Sequence, residues 1–203
     1  MSKWMTITIL AVATGLGLAA SVHSQGRTGT RVEPFRPPTE ARVKLPPGSS
    51  SPLESCPPNQ DDMCQKFRAL AGHFLRDNKI PARDRELLTL RTAWLSRGEY
   101  IWAAHHADYA IKAGLTVEEV ARIAKGPDAN GWSRFDATLL RAADELQASR
   151  FISDATWKAL GERYNDRQRL EVVLTVANYT MLAMYFNSTG TQVPKGRTGF
   201  PPD

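Results

Sequence analysis

The chain has 203 residues, with 26 Lys and Arg against 21 Asp and Glu, for a formal net charge of +5. That length, with 42% hydrophobic residues, supplies one hydrophobic core and one domain. The cations are spread along the chain rather than gathered into a dense run, which argues against nucleic acid as a partner.

Residues 1–24 read as an export signal. Lys3 gives a positive start, Met5 to Ala20 is apolar and rich in small residues, and Val22-His23-Ser24 offers a cleavage site that leaves Gln25 first. The apolar stretch is short and Gly-containing for a membrane span; an uncleaved anchor is the alternative. No membrane association is expected after cleavage, and the predicted location is periplasmic or secreted. Removing Lys3 leaves a mature charge of about +4 (5 − 1).

Residues 25–60 read as a disordered arm. It holds Pro34, Pro37, Pro38, Pro46, Pro47, Pro52, Pro57 and Pro58, with Gly48-Ser49-Ser50-Ser51 between them, a composition that buries little. Export permits a disulfide between the two cysteines, Cys56 and Cys64. Such a clip would contribute roughly 2–3 kcal/mol if unstrained. A redox pair is the alternative, although the spacing is not Cys-x-x-Cys.

From residue 61 the pattern is helical. Asp61 or Asp62 caps a helix running to about Asn78, with Met63, Phe67, Leu70 and Phe74 as its apolar stripe and His73 off it, at the surface. Ile80-Pro81 breaks it, and the apolar run Glu86 to Leu95 follows with Arg91 in its middle. After Ser96-Arg97-Gly98 a third helix covers Glu99 to Ala113. Thr116 and Glu119 form a capping box for a short helix ending at Lys125-Gly126-Pro127. Ser133 or Asp136 opens the next, with Leu139, Leu140, Ala143 and Leu146 inward, and Ser153-Asp154 caps a helix through Leu160. The last helix runs from about Asp166 to Asn187 and is apolar nearly all round, which predicts a central, buried helix. Residues 191–203 read as a loose tail. There is no strand pattern and no repeat of fixed period. The fold class is all-α, with about six to seven helices in one domain over residues 61–190.

Candidate chemistry concentrates between Arg85 and Gly114. On a helix, Trp102, His106, Tyr109 and Ala113 share one face, and Ile101, His105, Asp108 and Lys112 the next. An imidazole with an acid in reach is held in one tautomer and carries protons near neutrality. Glu86 and Glu99 are the carboxylates available to partner it. Arg91 is either buried in an ion pair, with Glu86 or Glu171, or lines a cavity and anchors a carboxylate through its fork. Trp102 is a substrate contact or core; Tyr109 is expected to be core. Asn178 and Asn187 need hydrogen-bond partners inside the last helix, as site residues or as links between helices. Adjacent histidines point about 100° apart on a helix, and no i, i+4 pair exists, so no metal site is expected.

Several segments together resemble the carboxymuconolactone decarboxylase family, which includes the alkylhydroperoxidase D-like proteins. They are Arg85-Glu86-Leu87, Leu90-Arg91-Thr92-Ala93-Trp94, Glu99-Tyr100-Ile101-Trp102-Ala103-Ala104-His105-His106 and Ala113-Gly114-Leu115. Leu139 to Leu146, Ile152 to Trp157 and Asn178 to Asn187 continue the likeness. The resemblance implies an all-helical fold assembled as trimers or hexamers. The peroxidase branch uses a glutamate, a Cys-x-x-Cys and a histidine four residues after the second cysteine. Counting on from Glu86 puts those cysteines at Gly98 and Ile101 and the histidine at His105; counting back from Gly114 selects His106. With both cysteines replaced, thiol peroxidase activity is not expected.

The decarboxylase branch acts on small lactone carboxylates by proton transfer. In that light His105 or His106 is the acid/base, Glu86 its partner, and Arg91, Glu99, Trp102 and Asn178 bind the substrate. The leading expectation is an exported, homo-oligomeric lyase-like enzyme that uses no cofactor and decarboxylates, isomerises or opens the lactone of a small organic acid. The alternatives are a non-enzymatic binding or scaffold protein of the same fold, and a redox protein using Cys56 and Cys64.

Overall fold

A computed structural model describes residues 35–36, 38–44 and 62–201; residues 1–24, read as an export signal, most of the Pro-rich arm and Cys56 lie outside them. Among the described residues there are seven α-helices and no strand: α1 (Asp62–Gly72), α2 (Ala82–Leu95), α3 (Glu99–His105), α4 (Val117–Lys125), α5 (Arg134–Ser149), α6 (Asp154–Leu160) and α7 (Asp166–Thr189). Single π turns extend two of them, His73–Asp77 after α1 and His106–Ala110 after α3.

The central helix is α2. Leu87, Leu88, Leu90 and Ala93 are wholly buried, and so are the polar Glu86, Thr89 and Thr92. Residues α2 cannot turn away from solvent on one face alone must meet α3, α5 and α7 on several, which is why its sequence has no polar stripe. The helix starts follow the side-chain chemistry. Thr116 accepts the Glu119 N–H while the Glu119 carboxylate accepts the Thr116 N–H. Asn165 and Gln168 cap α7 in the same reciprocal manner, while Ser133 and Ser153 accept the Asp136 and Thr156 N–H groups at the starts of α5 and α6.

The expectation for α7 is half right. Val172, Val176, Tyr179, Leu182, Ala183 and Phe186 are buried, but Leu170 (54%), Leu174 (50%) and Met184 (62%) are exposed. Met63 and Leu70 of the α1 stripe are exposed too, while Phe74 is buried. His73, expected at the surface, is half-buried, with Nε2 3.7 Å from Glu171 Oε1. Glu171 is buried and also accepts from Arg167 Nε at 3.0 Å and from the Lys79 N–H.

Both ends of the chain's described part are attached to the helices. The Arg42 N–H donates to the Thr189 carbonyl at 2.8 Å, and Gln192 Nε2 donates to the Pro38 carbonyl at 2.9 Å. The tail is not loose where Phe200 packs edge-on against Trp94 and Trp102, with centroids at 5.1 and 5.5 Å. Arg197 Nη1 pairs with Asp108 Oδ1 at 2.8 Å. Two rings and one ion pair suffice to order a segment whose Gly/Pro content alone reads as mobile.

Candidate functional site

Glu86 sits in the first half of α2 and His105 at the last position of α3. The packing of these helices closes a buried contact: His105 Nδ1 lies 2.7 Å from Glu86 Oε2, with the carboxylate side chain fully buried and the imidazole 8% exposed. Arg85 Nε donates to the other oxygen, Glu86 Oε1, at 2.9 Å. Burial by itself pushes the Glu86 carboxyl up. The His105 and Arg85 charges and hydrogen bonds outweigh it and hold the group below the usual carboxylate range. An ionised carboxylate only accepts, so the Nδ1 position of His105 carries the proton. Nε2 is then the nitrogen free to take or give one.

His105 forms part of the wall of a cavity of about 320 Å³. The rings of Tyr109 and Tyr179 each lie 5.0 Å from the imidazole, one tilted by 38° and the other perpendicular at 90°. Leu75, Ile101, Leu182 and Phe186 make most of the remaining wall apolar. Burial and the nearby Glu86 charge push the Tyr179 phenol up, so it stays protonated and can donate. Two cations complete the lining, Arg68 on α1 and Arg76 on the π turn that follows it. Both are exposed, and neither is paired with an acid among the described residues. The arrangement is an apolar slot with a proton carrier on its wall and unneutralised positive charge beside it.

The other expected site residues go elsewhere. His106 is half-buried and starts the π turn His106–Ala110. A π turn takes one residue more than an α turn, which explains why counting back from Gly114 lands one position past the histidine that meets Glu86. Arg91 is not a substrate anchor. Its Nε and Nη2 bind Asp144 Oδ1 and Oδ2 at 2.6 and 3.0 Å, and Nη1 binds the Ile123 and Ala124 carbonyls at 2.9 and 2.8 Å. Its acid is therefore neither Glu86 nor Glu171. Glu99 is exposed and accepts the Phe200 N–H at 3.4 Å. Trp102 is 1% exposed, its ring 5.9 Å from Trp94, and belongs to the core. Asn178 is buried, and neither of its amide atoms has a partner, but it is not on the cavity wall. Asn187 is a link between helices, donating to the Ser96 carbonyl at 3.2 Å. Cys64 is held in a disulfide; Cys56, its expected partner, is outside the described residues. Among the described residues no three of His, Cys, Asp and Glu converge to hold a metal.

Sequence reasoning missed Tyr179, Arg68 and Arg76, and it assigned Tyr109 to the core. Arg68 and Arg76 are eight residues apart, close to two helical turns, with Gly72 between them. That spacing was a readable signal of two cations on one face.

Comparisons with known proteins bear on part of the sequence and on the fold. The sequence profile of the Carboxymuconolactone decarboxylase family matches residues 61–145. No curated protein matches the chain. Solved structures do. One is an AhpD-like protein of unknown function from Agrobacterium tumefaciens, provisionally assigned to antioxidant defence, at TM-score 0.64 and 12% identity, covering 76% of this chain and 99% of that one. Another is an uncharacterised peroxidase-related protein from Ralstonia eutropha with the alkylhydroperoxidase AhpD core, at TM-score 0.58 and 18% identity, covering 66% and 72%. A third is a cysteine-to-alanine variant of the debrominase Bmp8 in complex with 2,3,4-tribromopyrrole, at TM-score 0.57 and 13% identity, covering 66% and 72%. Identities this low speak to the fold alone. Residues 61–145 thus match the carboxymuconolactone decarboxylase family profile, and the helical unit has the AhpD-like fold.

Proposed function

We propose that this chain is an exported acid–base enzyme acting on a small organic acid with an apolar body. The observation that carries the reading is the buried His105–Glu86 pair on the wall of an apolar cavity with two unpaired arginines. The acid's carboxylate sits toward Arg68 and Arg76, and its apolar part lies against Tyr109, Tyr179, Leu182 and Phe186. His105 Nε2 takes a proton from an acidic C–H or returns one to carbon. In an isomerisation the proton comes back at a second position. In a decarboxylation the breaking C–C bond leaves its electron pair on carbon, carbon dioxide departs, and His105 supplies the proton. Glu86 stabilises the imidazolium that exists between these steps.

Export rests on the signal-like residues 1–24, and the disulfide at Cys64 supports an oxidising compartment. The redox alternative needs a free thiol, which Cys64 does not offer. The test is calorimetric binding of a panel of small lactone carboxylates and keto acids, followed by product analysis for any acid that binds. Arg68→Ala with Arg76→Ala should weaken binding about tenfold or more, the cost of losing charged hydrogen bonds. His105→Gln should abolish turnover while leaving binding nearly intact. An acid turned over equally well by His105→Gln would refute the assignment.

A further inference from the structure

Gly72 ends α1 and lies on the cavity wall, four residues from Arg68 and four from Arg76. Its backbone does not call for glycine. The φ of −62° and ψ of −37° are ordinary helical values, open to every residue, and glycine there weakens the helix relative to alanine. No fixed neighbour calls for it either. A Cβ at this position would meet a single side chain, with Arg76 Nη2 at 2.6 Å and Cζ at 3.5 Å. Gly72 is buried, and in the direction a side chain would take it is covered by the Arg76 guanidinium.

Helical side chains lean toward the N-terminus. With no Cβ at position 72, the Arg76 side chain lies against the helix surface one turn back from its own backbone. That posture carries its charge toward Arg68, which lines the same cavity. Neither arginine has an acidic partner among the described residues. Two cations on one side of an apolar slot, with no carboxylate of the chain to neutralise them, make a seat for an anion. Alanine at position 72 would leave the fold standing, because the atom it strikes is the free end of a flexible side chain. It would move the charge instead. Ordinary contact begins near 3.5 Å, so the guanidinium would have to withdraw by about 1 Å.

We infer that Gly72 is a positioning residue for the acid site: its missing side chain is the notch that seats the Arg76 guanidinium at the cavity, where it anchors an anionic ligand. The inference deepens the acid-binding reading and rests on it. Arg76 meets the ligand, and Gly72 acts through Arg76.

The experiment is a double-mutant cycle of Gly72→Ala and Arg76→Ala on the full mature chain. It is read by urea unfolding, which needs no ligand, and by calorimetric binding of benzoate, a carboxylate on an apolar ring. In the Arg76→Ala background Gly72→Ala should raise the unfolding midpoint, because alanine is the better helix former. With Arg76 present, part of that rise should be lost. Benzoate should bind about tenfold more weakly to Arg76→Ala and about threefold or more weakly to Gly72→Ala. The double variant should be no weaker than Arg76→Ala alone. An equal rise of the midpoint in both backgrounds would place the guanidinium elsewhere and overturn the inference. Unchanged benzoate affinity in Gly72→Ala, beside a clear loss in Arg76→Ala, would also overturn it while leaving the acid reading intact. A wild-type chain that binds no benzoate, or binds it with an affinity indifferent to both Arg68→Ala and Arg76→Ala, would refute the acid reading itself and the role of Gly72 with it.

Discussion

Replacing Arg91 with alanine separates two roles that sequence alone leaves open. As a substrate anchor, Arg91 would be dispensable to the fold and necessary for binding. The structure makes it a junction instead. Its guanidinium ties α2 to α5 through both oxygens of Asp144 and to α4 through the Ile123 and Ala124 carbonyls. Those carbonyls belong to the last turn of α4, where intrahelical donors become scarce and a cation is favoured. Removing one partner of a buried ion pair costs about 3–5 kcal/mol. Here Asp144 is 29% exposed and water can reach it, which moves the expectation to the lower end. The Ala124 carbonyl adds about 1 kcal/mol when left bare, whereas the Ile123 carbonyl keeps the Gly126 N–H. A loss of roughly 3–4 kcal/mol is expected, a large share of a domain's usual net stability. Urea unfolding followed by circular dichroism measures it, with acid binding measured on whatever remains folded. A loss below about 1 kcal/mol, together with weakened acid binding, would refute the structural role and restore Arg91 to the site.

Two further outcomes follow from the same contacts. Glu86 ionises more readily in the folded chain than the ordinary carboxyl at 4.5. Its contribution to stability is therefore present above that value and is lost as the pH falls through the lowered folded pKa. Unfolding midpoints in denaturant should drop below about pH 4.5, and Glu86→Gln should flatten that part of the profile; an identical slope in both proteins would count against the ionised pair. Phe200→Ala removes two edge-on contacts with Trp94 and Trp102. It should cost about 1–2 kcal/mol and shift tryptophan emission to the red, while an unchanged spectrum would mean that the tail does not cover these rings in solution.

Much of the fold was legible because local chemistry and tertiary packing agree. Thr116 with Glu119, and Ser153 at its helix start, announce themselves by cap chemistry that does not depend on distant residues. The reading failed where the deciding partner is far away in sequence. Arg91 looked like a candidate anchor because its acid, Asp144, is 53 positions on. The choice between His105 and His106 turned on a π turn, which no residue preference signals. Tyr179 was invisible as a site residue because helix α7 is apolar on both sides. Periodicity cannot say which side faces the cavity and which faces outward. Glu86 and His105, which the fold brings into contact, stood out because an acid and an imidazole are conspicuous in an otherwise apolar stretch. Arg68 and Arg76 were passed over because exposed arginines are commonplace on helices.

The most direct test of the account observes the imidazole nitrogens of His105 and His106 by long-range proton–nitrogen NMR, with and without the panel of small acids. The account predicts that neutral His105 carries its proton on Nδ1, that this signature is lost in Glu86→Gln, and that a bound acid shifts the His105 Nε2 resonance while His106 stays indifferent. A His105 protonated on Nε2, or an acid that shifts His106 and leaves His105 unmoved, would contradict it.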